Sequence, residues 1–142
     1  MKPPRPPSWV LDTNVIVSGL LVAVGFPGRL LDSVLTGRLR MAYDDRIEAE
    51  YREVLARPRF FISPERREAF LAEFKNQDAT LAEPWPHSTP PDQDDLPFLE
   101  VALQSPDRLL LTGNLKHFPL SARGPVTVLS PRQAWERLTE GI

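Results

Sequence analysis

Apolar residues along this chain fall into short, nearly solid runs separated by stretches with helical spacing. Trp9, Val10 and Leu11 make one run and Leu39 to Tyr43 a second. Ala79 to Ala82 is a weak third, Arg108 to Leu111 a fourth and Val126 to Leu129 the last. Runs of this length, bounded by turn residues, fit buried strands. Between them the period changes. Val15 to Val24 is apolar almost throughout, which predicts a buried helix, and Gly25-Phe26-Pro27-Gly28 reads as a loop. Arg29 to Thr36 places Leu30, Leu31, Val34 and Leu35 on one helical face and stops at Gly37. Ile47, Tyr51, Val54 and Leu55 share the face of another helix, which Arg57-Pro58 ends. Ser63 as N-cap and Pro64 start a helix with Phe70, Leu71 and Phe74 inward. Leu96 to Leu103 reads as a helix starting near Asp95, because Pro97 is tolerated only in a first turn. Ser130 and Pro131 open a last helix with Trp135 and Leu138 facing inward. Strands alternating with helices predict a mostly parallel sheet covered on both faces, an α/β fold.

Length and composition narrow this picture only a little. A chain of 142 residues suits one domain, residues 1–142, with a proline-rich lead-in over 1–8. A net charge of −2 makes no global case for nucleic acid, although a local basic patch stays compatible with it. With no cysteine there is no disulfide and no thiolate metal site, which fits a reducing compartment; the expected location is the cytoplasm. No apolar stretch reaches the roughly 18–20 residues of a membrane span. No membrane partner is expected.

The informative residues are polar groups set beside apolar elements. Asp12 follows the Trp9–Leu11 strand directly, and a carboxylate between two apolar elements is costly unless it is paired or binds a metal. At the carboxyl end of a parallel strand it would lie where open α/β sheets place their ligands. Asp45 and Glu48 fit the N-cap and N3 places of a capping box, and Glu53 reads as solvated. Glu50 sits beside Ile47 and Val54 on the edge of the buried face, a poor place for an idle carboxylate. Asp92, Asp94 and Asp95 precede the Leu96 helix, where capping accounts for one of the three. The Arg108–Leu111 strand repeats the opening pattern, ending in Thr112-Gly113-Asn114. His87, in the proline-rich stretch Glu83 to Pro91, reads as a solvated loop residue, and Ser18 as a hydroxyl bonded back to its own helix. If the sheet brings Asp12, Glu50, Asp94 or Asp95, and Asn114 to one edge, the all-oxygen set suits Mg²⁺ or Mn²⁺ and not zinc.

Four blocks in this order carry a resemblance. They are Val10-Leu11-Asp12-Thr13-Asn14-Val15 with Ser18; Ile47 through Leu55 with Arg57-Pro58; Asp92 through Leu103; and Leu111-Thr112-Gly113-Asn114 with His117-Phe118. In them the chain resembles the PIN-domain ribonucleases, of the toxin kind found in toxin–antitoxin pairs. The resemblance implies a three-layer α/β/α sandwich of about five strands and a Mg²⁺- or Mn²⁺-dependent endoribonuclease. Asp12, Glu50 and Asp95 would be its metal-binding acids, with Asn14 supporting Asp12. Thr112 would be a hydroxyl near the metal water, and Asp92 and Asp94 rivals of Asp95. It also implies RNA as substrate, an antitoxin as protein partner and a homodimer. Asn114 departs from the family, which usually has aspartate there. An amide can still ligate or hydrogen-bond a metal water but adds no charge, so a weaker metal site is expected. Lys116 and His117 could approach phosphate, or be ordinary exposed loop residues.

Two other readings stand beside this one. The fold could serve as a module that binds RNA or protein, the metal site having been weakened by Asn114. A phosphatase using Asp12 as nucleophile would want an aspartate two residues on, where Asn14 stands, and its paired acids after the threonine, whereas Asp94-Asp95 precede Thr112.

Overall fold

A computed structural model describes residues 5–87 and 92–140. Within them the chain runs β1 (Ser8–Leu11), α1 (Thr13–Leu21), α2 (Phe26–Leu35), β2 (Arg40–Tyr43), α3 (Asp45–Leu55), α4 (Pro64–Ala72), β3 (Asp78–Ala79), α5 (Leu96–Gln104), β4 (Leu109–Leu111), β5 (Thr127–Leu129) and α6 (Pro131–Glu140). The five strands form one parallel sheet in the order β3-β2-β1-β4-β5. Helices cover both of its faces. α1 packs on α2 and α2 on α6, while α5 lies against β1, β2 and β4 and touches α3. This is the three-layer α/β/α architecture that the sequence predicts. Met1 to Pro4 of the lead-in, and Pro90 and Pro91 of the expected loop, lie outside the described residues.

The order of the strands fixes where a site can be. From β1 the chain winds outward through β2 to β3, then returns to the other side of β1 for β4 and β5. The switch falls between β1 and β4, and crevices open at the carboxyl ends of the strands flanking such a switch. Val10 and Leu11 pair there with Leu110 and Leu111, all four fully or almost fully buried.

Several element boundaries move from their expected places, each for a local reason. α1 begins at Thr13 rather than Val15, because Asp12 is itself the N-cap and accepts from the Thr13 N–H at 2.8 Å. It ends at Leu21, short of Val24, and the chain turns into α2 through a 95° bend. Phe26, Pro27 and Gly28, expected in a loop, form the first turn of α2. Gly28 is needed for close approach: a Cβ there would stand 2.3 Å from the Ala23 carbonyl oxygen. α3 is capped by Asp44, not Asp45; β2 ends at Tyr43, so Asp44 is the first residue free to accept from Ile47 N, at 3.1 Å. Glu48 then falls past the capping position and pairs with Arg52. β3 is shorter and earlier than Ala79–Ala82. Its register is set by the Gln77 side chain on Met41 N and by the Arg40–Asp78 pair, and beyond Thr80 the chain leaves the edge with Leu81 fully in solvent. β4 starts at Leu109 because Arg108 adopts a left-handed backbone conformation, φ 48°.

Other expectations stand. Phe70, Leu71 and Phe74 are buried, and Trp135 and Leu138 pack against the core. Ser130 and Gln133 exchange the two bonds of a capping box at α6. His87 is exposed, edge-on to Trp85, and Glu53 is exposed and paired with Arg57. Ser18 departs from expectation: it lies exposed on α1, and its hydroxyl is not bonded back to the helix but faces solvent. No single helix among the described residues is long and apolar enough to cross a membrane.

Candidate active site

Asp12 leaves the end of β1 only 7% exposed, and three groups hold its carboxylate. Oδ1 takes the Thr13 N–H, while Oδ2 takes the Thr112 hydroxyl at 2.8 Å and the Asn14 amide at 3.3 Å. Thr112 is fully buried, so its one hydroxyl proton is committed to Asp12, and its oxygen accepts from Asn114 N at 3.0 Å. Asn14 bridges the two strand ends, its Oδ1 accepting from Gly113 N at 2.9 Å. The carboxyl ends of β1 and β4 are thus one hydrogen-bonded unit. Burial pushes Asp12 above the usual carboxylate range, and the bonds from Thr112 and Thr13 oppose that push.

α3 brings the second acid. Tyr51 is fully buried and its hydroxyl donates to the Leu11 carbonyl. Its neighbour Glu50 reaches Thr13, whose hydroxyl donates to Glu50 Oε2. Thr13 therefore touches both acids, Asp12 through its N–H and Glu50 through its side chain. Glu50 is raised first by burial, then by the charges of Asp12 and Asp94, with the Thr13 bond opposing.

α5 brings the third. Asp95 occupies the N-cap place, but its carboxylate makes no capping bond and is left to the site. It is raised to about 6, first by burial and then by Asp12, with His117 countering. The imidazole Nδ1 of His117 lies 3.8 Å from Asp95 Oδ2, an ion pair when the ring is protonated. Asp92 has a structural task. Its carboxylate and carbonyl accept from Asp94 N and Asp95 N in the turn that leads into α5. Asp94 is exposed and acts on Glu50 through its charge. Asn114 stands half-buried at the head of the turn Leu115–His117, its amide making no capping bond. Lys116 and His117 are both exposed in that turn.

The arrangement is thus three partly desolvated carboxylates near the carboxyl ends of β1 and β4, with Asp12 acting on both Glu50 and Asp95 and with hydroxyl and amide groups around it. Among the described residues, no three acidic or imidazole groups are drawn together closely enough to enclose an ion as they stand.

Three further groups were not singled out from the sequence. Thr13 stands inside the Val10–Val15 block, between Asp12 and Asn14, without a role of its own. Tyr51 reads as one more apolar helix position, and only its hydroxyl hints at a partner. Glu100 is the clearest omission. It is a carboxylate on the otherwise apolar stretch Phe98 to Ala102, the same signal that picks out Glu50. It is 5% exposed, and its oxygens accept from Arg46 Nη1 and Trp85 N, both at 2.7 Å. That pair ties α3, which carries Glu50, to α5, which carries Asp95.

No curated relative and no solved structure matches the chain. A family model does. The PIN domain model matches residues 8–116, from β1 through β4 and into the turn after it, a span that holds Asp12, Glu50, Asp95, Thr112 and Asn114. The chain belongs to the PIN-domain family, a family of nucleases.

Proposed function

We propose that this protein is a metal-dependent endoribonuclease that hydrolyses RNA phosphodiesters, and that it is the toxin of a toxin–antitoxin pair. The observation that supports the chemistry is the raised state of Asp12, Glu50 and Asp95: burial lifts all three above the usual carboxylate range, and the charge of Asp12 lifts Glu50 and Asp95 further. Such an excess of buried negative charge is unfavourable until a cation offsets it. The donors are all hard oxygens, so the residues fit Mg²⁺ or Mn²⁺, with Asp12, Glu50 and Asp95 as the groups that would hold it. When bound, such an ion supplies a water of lowered pKa and neutralises phosphodiester charge.

The chain's own residues do the rest. Thr112 and Asn14 fix the direction of Asp12, and Thr13 sets Glu50 against it. Asn114 presents a neutral amide where a fourth acid would add charge, and exposed Lys116 offers a cation to a polyanion, with the His117 imidazole beside it as a hydrogen-bonding group. Cleavage of RNA with Mn²⁺ should vanish with chelator and in Asp12→Asn. Activity that survives both would end the metal mechanism. The toxin role is tested by expression: growth arrest in cells producing the wild type and none with Asp12→Asn supports it.

A second reading draws support from the separation of the acids and from neutral Asn114. On it, the fold binds RNA or a protein partner without cleaving. Titration calorimetry with Mn²⁺ separates the two. No heat from the wild type, with binding gained in Asn114→Asp, favours the binding module.

A further inference from the structure

The peptide that joins Leu11 to Asp12 is held at both ends by the elements that carry the other site residues. Its N–H, on Asp12, donates to the Leu111 carbonyl of β4 at 2.8 Å. Its C=O, on Leu11, accepts from the Tyr51 hydroxyl of α3. Toward β2, the paired residues of β1 are Ser8 and Trp9. Leu11 lies beyond this pairing, and Tyr51 supplies its carbonyl with a donor from a helix. The ring cannot drift, because it is fully buried and packs on Phe70 and Phe74 with centroids 6.1 and 5.9 Å away. Glu50 is the preceding residue of the same helix, so the bond that fixes Tyr51 also fixes the rotation of α3 at Glu50.

We propose that the Tyr51 hydroxyl is a positioning group: by holding the Leu11 carbonyl it locks the peptide bearing Asp12 to the helix bearing Glu50. This sets the separation of the two acids. Thr13 bridges their side chains, and Tyr51 ties the backbone at Asp12 to the helix of Glu50. The proposal rests on the reading of Asp12 and Glu50 as metal-binding acids, but its backbone part is independent of any metal.

Tyr51→Phe removes one oxygen and keeps the ring. Two measurements test it against Phe70→Leu, a packing change in the same cluster that leaves the hydroxyl in place. In metal-free protein, amide exchange at Asp12 and Thr13 should quicken about tenfold or more in Tyr51→Phe, with amides of β5 unchanged. By calorimetry, Mn²⁺ affinity should fall about three- to tenfold in Tyr51→Phe and by less than twofold in Phe70→Leu, whatever either does to the melting temperature. Unchanged exchange at Asp12 overturns the proposal. So does equal loss of Mn²⁺ affinity in both variants, which would make Tyr51 only a packing residue. If the wild type binds no Mn²⁺, the metal reading fails by itself and the exchange result alone decides the role of Tyr51.

Discussion

At the scale of single residues, the site is a matter of where protons and charges are held. Asp12, Glu50 and Asp95 are all raised in the folded chain, with Asp95 near 6. A carboxylate with a raised folded pKa binds more protons folded than unfolded between its two values. The contribution of these groups to stability is therefore greatest at low pH and falls as pH rises from about 4, the usual carboxylate value, through about 6. Metal-free protein should melt several degrees higher near pH 4.5 than at pH 7. Asp95→Asn should recover part of that difference at pH 7, on the order of 1 kcal/mol after solvent screening, in thermal melts with chelator present. A wild type whose metal-free melting point rises from pH 4.5 to 7 contradicts this. Thr112→Val tests the opposite kind of group, a fully buried hydroxyl committed to a carboxylate. It should cost about 1.5–3 kcal/mol by urea unfolding and weaken Mn²⁺ binding. Lost stability with full metal affinity would confine Thr112 to structure.

At the scale of elements, one ion pair joins the helices that present Glu50 and Asp95. The Arg46–Glu100 pair joins α3 to α5, and Glu100 is buried while the Arg46 side chain is 47% exposed. Removing the arginine leaves a buried carboxylate with, among the described residues, only the Trp85 N–H to offset it. Arg46→Ala should therefore cost about 1–2 kcal/mol, less than a fully buried pair because the guanidinium is half in water. Glu100→Gln, which keeps an acceptor for Trp85 without the charge, should cost less than Arg46→Ala; the reverse order in urea melts would mean that the charge is not the issue. The α1–α2 corner depends instead on missing atoms. A Cβ on Gly19 would meet the Leu31 side chain at 2.6 Å and one on Gly28 the Ala23 carbonyl at 2.3 Å. Gly28→Ala should be the more costly, because all three of its nearest neighbours are backbone atoms at 2.3–2.7 Å, whereas Gly19 meets one backbone atom, the Pro27 carbonyl oxygen at 2.9 Å, and otherwise the Leu31 side chain. Overpacking of this kind costs about 1–3 kcal/mol, readable as a fall in melting temperature. This corner also marks a limit of sequence reading: the two glycines signalled a break, but only the packing of α1 on α2 made Gly28 part of a helix.

At the scale of the whole molecule, the sheet order brings the ends of β1 and β4 together, so that Asp12 and Thr112 bond across 100 positions of sequence. On the proposed function, Mn²⁺ is a ligand of the native state alone and should raise the melting temperature by mass action. The gain is about 2.7 kcal/mol at a hundredfold excess over Kd, reversed by chelator and absent in Asp12→Asn. Asn114→Asp should increase that gain by adding a fourth charge. An equal shift in wild type and Asp12→Asn would place the ion elsewhere on the protein.

Much of this was legible in the chain itself. Solid apolar runs of three to five residues alternating with helical periods determined an α/β sheet, because a strand buried on both faces has no other composition. Asp12 and Glu50 stood out because a carboxylate at an apolar boundary is costly without a partner. The same rule applied to Glu100 would have found it, but its partner Arg46 lies 54 positions away and no local pattern connects them. Which aspartate turns toward Asp12, and whether one at a helix start caps or stays free, depended on the turn Asp92 builds before α5. Asp44 displaced Asp45 as a cap because the pairing of β2 decided where the strand stopped. The sequence by itself determined which residues must be buried and which charges need company, since burial and periodicity are local properties. Only the tertiary structure decided who keeps that company: Thr112 and Asn14 with Asp12, Thr13 between the acids, Tyr51 beneath them. Asn14 and the Thr13 N–H are chain neighbours of Asp12, but Thr13 with Glu50, Tyr51 with Leu11 and Thr112 with Asp12 join residues 37, 40 and 100 positions apart, which only the fold brings within a hydrogen bond's reach.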